Sequence, residues 1–336
     1  MAPSAGNDRG PDEERRHRRR VARSVAAAGT AVLALAACGT PDGLASDGPS
    51  IVATTTILGD VAGRVGACGD LEVSTLIPVG ADPHDYAPSS ADVRDMVRAD
   101  LVIANGLGLE EGLASALESA REDGADVLEI APLVNPRAFG EASDDDHDDD
   151  ADDDHDDGLD PHVWLDVARM ADAAALIGAE LAEVTGDETL AACGEEVAVE
   201  LMVTDGEVRA ILDAVPDDSR VLVTDHDAFG YFAQAYGFEV AGVVVPGGST
   251  LAEPSSQELA ALTEVVRDAG VRAIFANTAH RTALSEALSA EVGEVDVVEL
   301  YVGSLGVEGS GAEDYAGMML TNARLIAQSL AAEELS

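Results

Sequence analysis

The chain contains no lysine: all 19 of its basic residues are arginine, against 65 Asp and Glu, giving a formal net charge of −46 over 336 residues. A surface so short of positive charge repels phosphates, which argues against nucleic acid or an anionic membrane face as a partner and suits cations. Aromatic residues are also scarce at 3%, so the cores must be built from Ala, Val and Leu. Long hydrophobic runs are absent; the best, Val25 to Ala37, is too short to span a bilayer as a stable helix. A His-Glu-x-x-His pair is missing, as is Gly-x-Ser-x-Gly at a strand–helix turn, so no general base or nucleophile motif is evident. Solenoid repeats are absent too. What remains is a chain with 46% apolar residues, long enough for one large domain or two medium ones and too apolar to be wholly disordered.

The first residues read as an address. Arg9, Arg15, Arg16, Arg18, Arg19, Arg20 and Arg23 precede the apolar run, which ends in Leu35-Ala36-Ala37-Cys38. A charged n-region, a short h-region and small residues before a cysteine resemble a bacterial lipoprotein signal. Cleavage would remove residues 1–37 and leave Cys38 lipid-modified, holding the protein at the outer face of the cytoplasmic membrane, with 38–50 as a linker. In that oxidising setting Cys68 and Cys193 either pair or remain buried thiols; the sequence leaves both open.

From Ile51 onward, short β-branched runs alternate with amphipathic stretches. Strands are expected at Ile51–Thr56, Glu72–Ile77, Leu101–Ala104 and Val127–Ile130, with helices at Leu58–Val65, Ser90–Ala99 and Gly112–Ala120. A second series has strands at Arg220–Thr224, Val240–Val245, Ala273–Ala276 and Val297–Leu300, with helices at Phe229–Tyr236, Ser256–Ala269 and Ala283–Glu291. Between them lies a helix-rich span, Val167–Ala214, with Gly186 and Gly194 as interruptions. Such alternation predicts an α/β fold of two lobes with parallel sheets: 51–186, a connecting helix over 187–216, and 217–336. Ligands of open α/β sheets bind beyond the carboxyl ends of the strands, so the site is expected in the cleft between the lobes.

Histidine is the residue that carries chemistry here. Leaving out His17, and His147 and His155 in an acidic stretch, four remain in the folded body: His84, His162, His226 and His280. His84 follows the second strand in Asp82-Pro83-His84-Asp85-Tyr86, and His226 follows the first strand of the second series in Thr224-Asp225-His226-Asp227. His162 lies in Asp160-Pro161-His162-Val163-Trp164, just before the connecting helices. Each has an acid within two residues, able to fix the imidazole tautomer, and three converging neutral imidazoles suit Zn²⁺.

These segments carry a resemblance. Pro83-His84-Asp85-Tyr86-Ala87-Pro88-Ser89, Asp160-Pro161-His162-Val163-Trp164-Leu165-Asp166, Thr224-Asp225-His226-Asp227-Ala228-Phe229-Gly230-Tyr231-Phe232 and Glu253-Pro254-Ser255 resemble the motifs of the zinc/manganese substrate-binding lipoproteins of ABC transporters, the cluster A-I family. The resemblance runs from about Ile51 to the C-terminus. It implies two α/β lobes joined by a rigid long helix, a metal between them, no catalysis, a monomer, and a permease as partner, with a zinc metallochaperone as a candidate second partner. His84, His162 and His226 become the metal ligands by that match, and a histidine at position 226 favours zinc over manganese. Relatives supply a fourth ligand from an Asp-Ser-Leu-Gly stretch, but here it reads Gly303-Ser304-Leu305-Gly306, and glycine has no donor. Water, His280, Glu299 and Glu308 are the candidates for that position.

Asp144 to Asp157 holds eleven Asp, His147, His155 and Ala151, within an acidic loop over 143–158. It reads either as a zinc-gathering loop or as a solubilising insertion. The favoured function is capture of Zn²⁺ outside the cell for delivery to a permease. The alternatives are a zinc hydrolase with a three-histidine-plus-water site, and a manganese-binding or adhesin member of the same fold. Zinc affinity is expected to fall below roughly pH 6, where imidazoles protonate.

Overall fold

Among the described residues eight short runs form strands, most of them rich in Val, Ile and Ala, because β-branched side chains pack well on a pleated surface. The structure is a computed structural model that describes residues 48–140, 158–245, 250, 255–279, 283–293 and 295–331. In the first lobe β1 (Ile51–Ala53), β2 (Val73–Thr75), β3 (Leu101–Ala104) and β4 (Asp126–Glu129) pair in the order β2-β1-β3-β4, every pair parallel. In the second, β5 (Val221–His226), β6 (Glu239–Val245), β7 (Ala273–Asn277) and β8 (Asp296–Leu300) repeat the arrangement as β6-β5-β7-β8.

Helices α1 (Thr56–Gly66), α2 (Ser90–Val97) and α3 (Ala114–Asp123) belong to the first lobe. Between the lobes' strands come α4 (Val167–Thr185) and α5 (Thr189–Leu212), and the second lobe adds α6 (Gly230–Tyr236), α7 (Ser256–Ala269), α8 (Ala283–Val292) and α9 (Tyr315–Leu330). Helix starts are written locally: Thr55 caps α1, Asp166 caps α4 and Asp314 caps α9, while Ser89 and Asp92 form a capping box on α2.

Each sheet has an outer core of its own. Val52, Met96, Leu113 and Leu117 fill the first, and Val223, Val244, Leu262 and Val266 the second. The inner faces share one larger core, in which Ile57, Val61, Leu101, Trp164, Ile177, Leu201, Phe232, Phe275, Tyr315 and Ile326 are all buried. The two lobes are therefore fastened along α4, α5 and α9 rather than joined by a bare tether.

The break expected at Gly186 is present: it adopts a left-handed φ of 75° and ends α4, so the helical span is a pair of helices. Two other points differ from the sequence reading. Gly194, expected as a second break, lies inside α5: a Cβ there would meet the Ala174 carbonyl oxygen at 2.7 Å, and one on Gly178 would meet the Gly194 Cα at 2.7 Å. It is a contact residue that lets two backbones touch, and this tertiary packing overrides its poor helix propensity. The C-terminal helix α9 was not anticipated, although Tyr315, Met318, Met319, Asn322, Ala323, Ile326 and Leu330 lie on one buried face.

Cys68 and Cys193 are joined by a disulfide, with 6.4 Å between their Cα atoms, tying the turn after α1 to α5. Among the described residues no helix is long and apolar enough to cross a membrane.

Candidate metal centre

Strand β5 runs two residues further than its apolar stretch suggests, so His226 is its last residue and sits at the carboxyl end of a parallel strand. His84 lies in the loop between β2 and α2, further from its strand than expected because β2 stops at Thr75. His162 precedes a short 3-10 turn, Val163–Leu165, that leads into α4. From these three separate stretches the imidazoles converge: one nitrogen of each lies within 4.8 Å of the other two, and all three residues are buried. Ring centroids are 5.3 Å apart for His84–His162 and His162–His226, and 5.9 Å for His84–His226.

The His84 and His162 Nε2 atoms are 3.2 Å apart. Two imidazoles on one tetrahedral zinc, each at about 2.0–2.1 Å, would have nitrogens about 3.3–3.4 Å apart. That pair is already spaced for a shared ion.

Carboxylates set which nitrogen faces the centre. Asp160 Oδ1 accepts the His162 backbone N–H at 3.0 Å and pairs with its Nδ1 at 2.8 Å. Asp225 Oδ1 does the same for His226, at 2.9 Å to each nitrogen, and its Oδ2 accepts the Asn277 N–H at 2.7 Å. With the Nδ1 proton held by a carboxylate, Nε2 keeps its lone pair for a cation. Asp82 orients the third loop, accepting the His84 N–H at 3.0 Å and the Thr250 hydroxyl at 2.8 Å.

The ionisation of the cluster follows its burial. Burial, aided by the charge of His226, holds His162 well below the usual histidine value, so it is a neutral donor. For His226 burial works the same way but is outweighed by the Asp225 hydrogen bond and by the carboxylates of Asp82 and Asp227, and its pKa rises. Burial pushes the Asp160 carboxyl up to about 7, against the pull of the His162 N–H and the charges of Arg137, His226 and Arg169.

Long-range contacts hold the loops. The Tyr231 hydroxyl, on α6, donates to the Asp160 carbonyl at 2.7 Å and accepts the Arg137 N–H at 3.0 Å. Trp164 Nε1 donates to the Val302 carbonyl at 2.8 Å, and the Tyr315 hydroxyl donates to the Trp164 carbonyl at 2.7 Å. Ser304 Oγ accepts the Gly80 N–H at 2.8 Å, and Thr56 Oγ accepts the Leu305 N–H at 3.0 Å. The 303–306 stretch thus braces the loop that presents His84.

The fourth-ligand candidates fare differently. Gly303 is buried beside Pro83, the neighbour of His84, where a Cβ would lie 3.0 Å from Pro83 Cδ. Glu299 and Glu308 are exposed, and the three-histidine cluster includes neither. His280, His147, His155, Cys38, Glu253 and Pro254 lie outside the described residues. Sequence reasoning missed Asn277, a buried polar residue closing the apolar run Ala273-Ile274-Phe275-Ala276; that abrupt change of polarity at a strand end was the available signal.

The sequence profile of the family described as zinc-uptake complex component A periplasmic matches residues 51–329. The chain belongs to that family. It is 30% identical to the zinc-binding protein TroA of Treponema pallidum, over 94% of this chain and 99% of that protein. It is also 30% identical to the manganese-binding lipoprotein MntA of Halalkalibacterium halodurans, over 86% of this chain and 92% of that one. The solved structure of TroA superposes with a TM-score of 0.75, covering 85% of this chain and all of TroA at 28% identity. Family membership makes this a metal ABC transporter substrate-binding protein and not an enzyme, which sets aside the hydrolase alternative.

Proposed function

We propose that this protein captures Zn²⁺ outside the cytoplasmic membrane and delivers it to an ABC transporter permease, tethered by a lipid on Cys38 after loss of residues 1–37. The observation that carries this reading is the convergence of His84, His162 and His226, buried and within 4.8 Å of one another. On this reading the ion lies between lobes 51–186 and 217–336, joined through 187–216. An all-nitrogen set favours zinc over manganese, which prefers oxygen ligands. Manganese is the second reading, because MntA and the PsaA lipoprotein of Streptococcus pneumoniae are named for it. The acidic stretch with His147 and His155 gathers zinc ahead of transfer to the buried site.

Elemental analysis of protein loaded from an equimolar zinc and manganese mixture tests the reading, combined with titration of the His84→Ala, His162→Ala and His226→Ala variants. One zinc per chain, and affinity lost by at least about 100-fold in each variant, is the expected result. Manganese at full occupancy would hand the site to the second reading, and near-native zinc affinity in all three variants would remove the histidines from the ion. Deleting Asp144–Asp157 should leave the zinc affinity intact and slow capture at low zinc; an unchanged capture rate would reduce that stretch to a solubilising insertion.

A further inference from the structure

In the second sheet, β5 and β7 are neighbours, and their carboxyl ends mark the point where strand order reverses, which is where open α/β sheets bind ligands. His226 ends β5, and Asn277 ends β7. Asn277 is 1% exposed, and its backbone N–H is bound to the same Asp225 that holds His226. Its side-chain oxygen accepts the Ala279 N–H at 3.0 Å and the Gly303 N–H at 3.5 Å. Two backbone donors face that oxygen, so the amide cannot be turned over without setting donors against donors. Its Nδ2 is therefore fixed as a donor, and among the described residues it has no partner.

Buried donors in native structures find acceptors, and one that lacks a protein partner points to a ligand or a water. Here the direction is informative. A Cβ on Gly303 would lie 3.4 Å from Asn277 Nδ2 and 3.0 Å from Pro83 Cδ, so the amide faces the space left by the missing Gly303 side chain, beside the loop of His84. The space is tight, and a single oxygen atom suits it better than a multi-atom anion. The Asp82 and Asp225 carboxylates beside the histidines also disfavour a further anion and favour a neutral ligand.

We infer that Asn277 is the positioning residue for an exogenous fourth ligand of the bound ion: a water oxygen that completes the three-histidine set and accepts a hydrogen bond from Nδ2. This rests on the three-histidine reading above. A water bound to a metal keeps one lone pair, which is what an amide N–H requires. The fourth position is then open to exchange, as it is in sites built with three protein ligands.

The test uses Co²⁺ as a visible probe on the intact chain, with ¹⁷O-enriched water as the reporter of the fourth ligand. In the native protein ¹⁷O-enriched water should broaden the cobalt electron-spin resonance. Gly303→Asp should lose that broadening, because a carboxylate then occupies the position. Asn277→Asp retains the Oδ1 acceptor for Ala279 but removes the donor, and should speed exchange of the bound water, read by ¹⁷O relaxation, by at least about tenfold while cobalt still binds one per chain. Asn277→Leu, checked for folding by circular dichroism, should behave in the same direction. Absence of ¹⁷O broadening in the native protein, or a native water-exchange rate in both Asn277 variants, would overturn the inference. Cobalt binding that survives His162→Ala would instead strike the three-histidine reading itself.

Discussion

Replacing Asp225 by asparagine changes one atom and tests how the imidazoles are set. In the native protein Asp225 Oδ1 accepts two N–H groups from His226 and Oδ2 accepts a third from Asn277, so the carboxylate has only acceptor duties. An amide offers one acceptor and one donor. With its NH₂ toward Asn277, a buried backbone N–H loses its partner, which costs about 1–3 kcal/mol of stability. With its NH₂ toward His226, Nδ1 must become the acceptor, and the ring proton moves to Nε2, the nitrogen needed for the ion. Losing such an outer partner of a metal-ligating histidine typically costs 10- to 100-fold in affinity, about 1.4–2.8 kcal/mol. Competition titration of zinc against a chelator of known affinity, at fixed pH, reads this directly, and a urea midpoint on the apo variant reports the stability cost. Affinity within threefold of native, in a variant that folds, would refute the claim that carboxylates fix the coordinating nitrogens.

The protonation pattern predicts proton release on metal binding. His226 has its pKa raised above 6.5, so the apo protein keeps part of that proton above pH 6.5 and the ion must expel it. Affinity should therefore begin to fall as pH drops through a point above about 6.5, earlier than reference imidazole values imply, while His162, already neutral, contributes nothing there. Calorimetry in two buffers of different ionisation enthalpy at pH 7 should show net proton release, and none would contradict the assignment. Reducing the Cys68–Cys193 bridge, which spans 125 residues, should lower stability by up to about 5 kcal/mol on the chain-entropy scale, read as a lower urea midpoint. An unchanged midpoint would show that the bridge constrains little. Gly178→Ala places a methyl carbon 2.7 Å from the Gly194 Cα and should cost about 1–3 kcal/mol in thermal stability with zinc affinity retained; a native melting temperature would mean α4 and α5 separate freely.

Much of the architecture was legible because local pattern and tertiary role agree. Runs such as Leu101–Ala104 are buried on both faces and read as strands from their apolar continuity alone. The helix spans over 256–269 and 283–292 follow their amphipathic stretches closely. The convergence of the three histidines was legible for a different reason: each carries its own acid one or two residues away, and for His162 and His226 that acid meets the ring. What escaped were features made by distance. Nothing near Gly194 in the sequence reports that Gly178 will lie against it, and nothing near Asn277 reports that Gly303 will leave space beside its amide. At Gly303 the sequence left water, His280, Glu299 and Glu308 as candidates; the two acids are exposed, and the residue that faces the gap, Asn277, ends the neighbouring strand.

The charge arrangement bears on how a carrier can both hold and surrender a divalent ion. With an ion bound, all three converging side chains would be neutral donors, and the carboxyl groups sit one layer out, Asp160 and Asp225 on the rings of His162 and His226 and Asp82 on the His84 backbone. A carboxylate bound directly to the ion would have to be stripped of a strong Coulomb partner on release. An outer carboxylate loses only a polarised imidazole, since its hydrogen bond is to the ring and not to the ion. Long-range attraction then comes from the acidic surface and the outer layer, and short-range selectivity from the nitrogen set. Trp164, Tyr231 and Tyr315 pin the His162 loop through buried hydrogen bonds. The Gly80–Ser304 and Asp82–Thr250 bonds tie the His84 loop to the second lobe, and withdrawing that loop to release the ion breaks both. Ser304→Ala should then speed zinc dissociation, measured by transfer to a chelator in stopped flow, with Trp164→Phe as the comparison that perturbs the opposite side; equal off-rates in the native protein and Ser304→Ala would place the exit elsewhere.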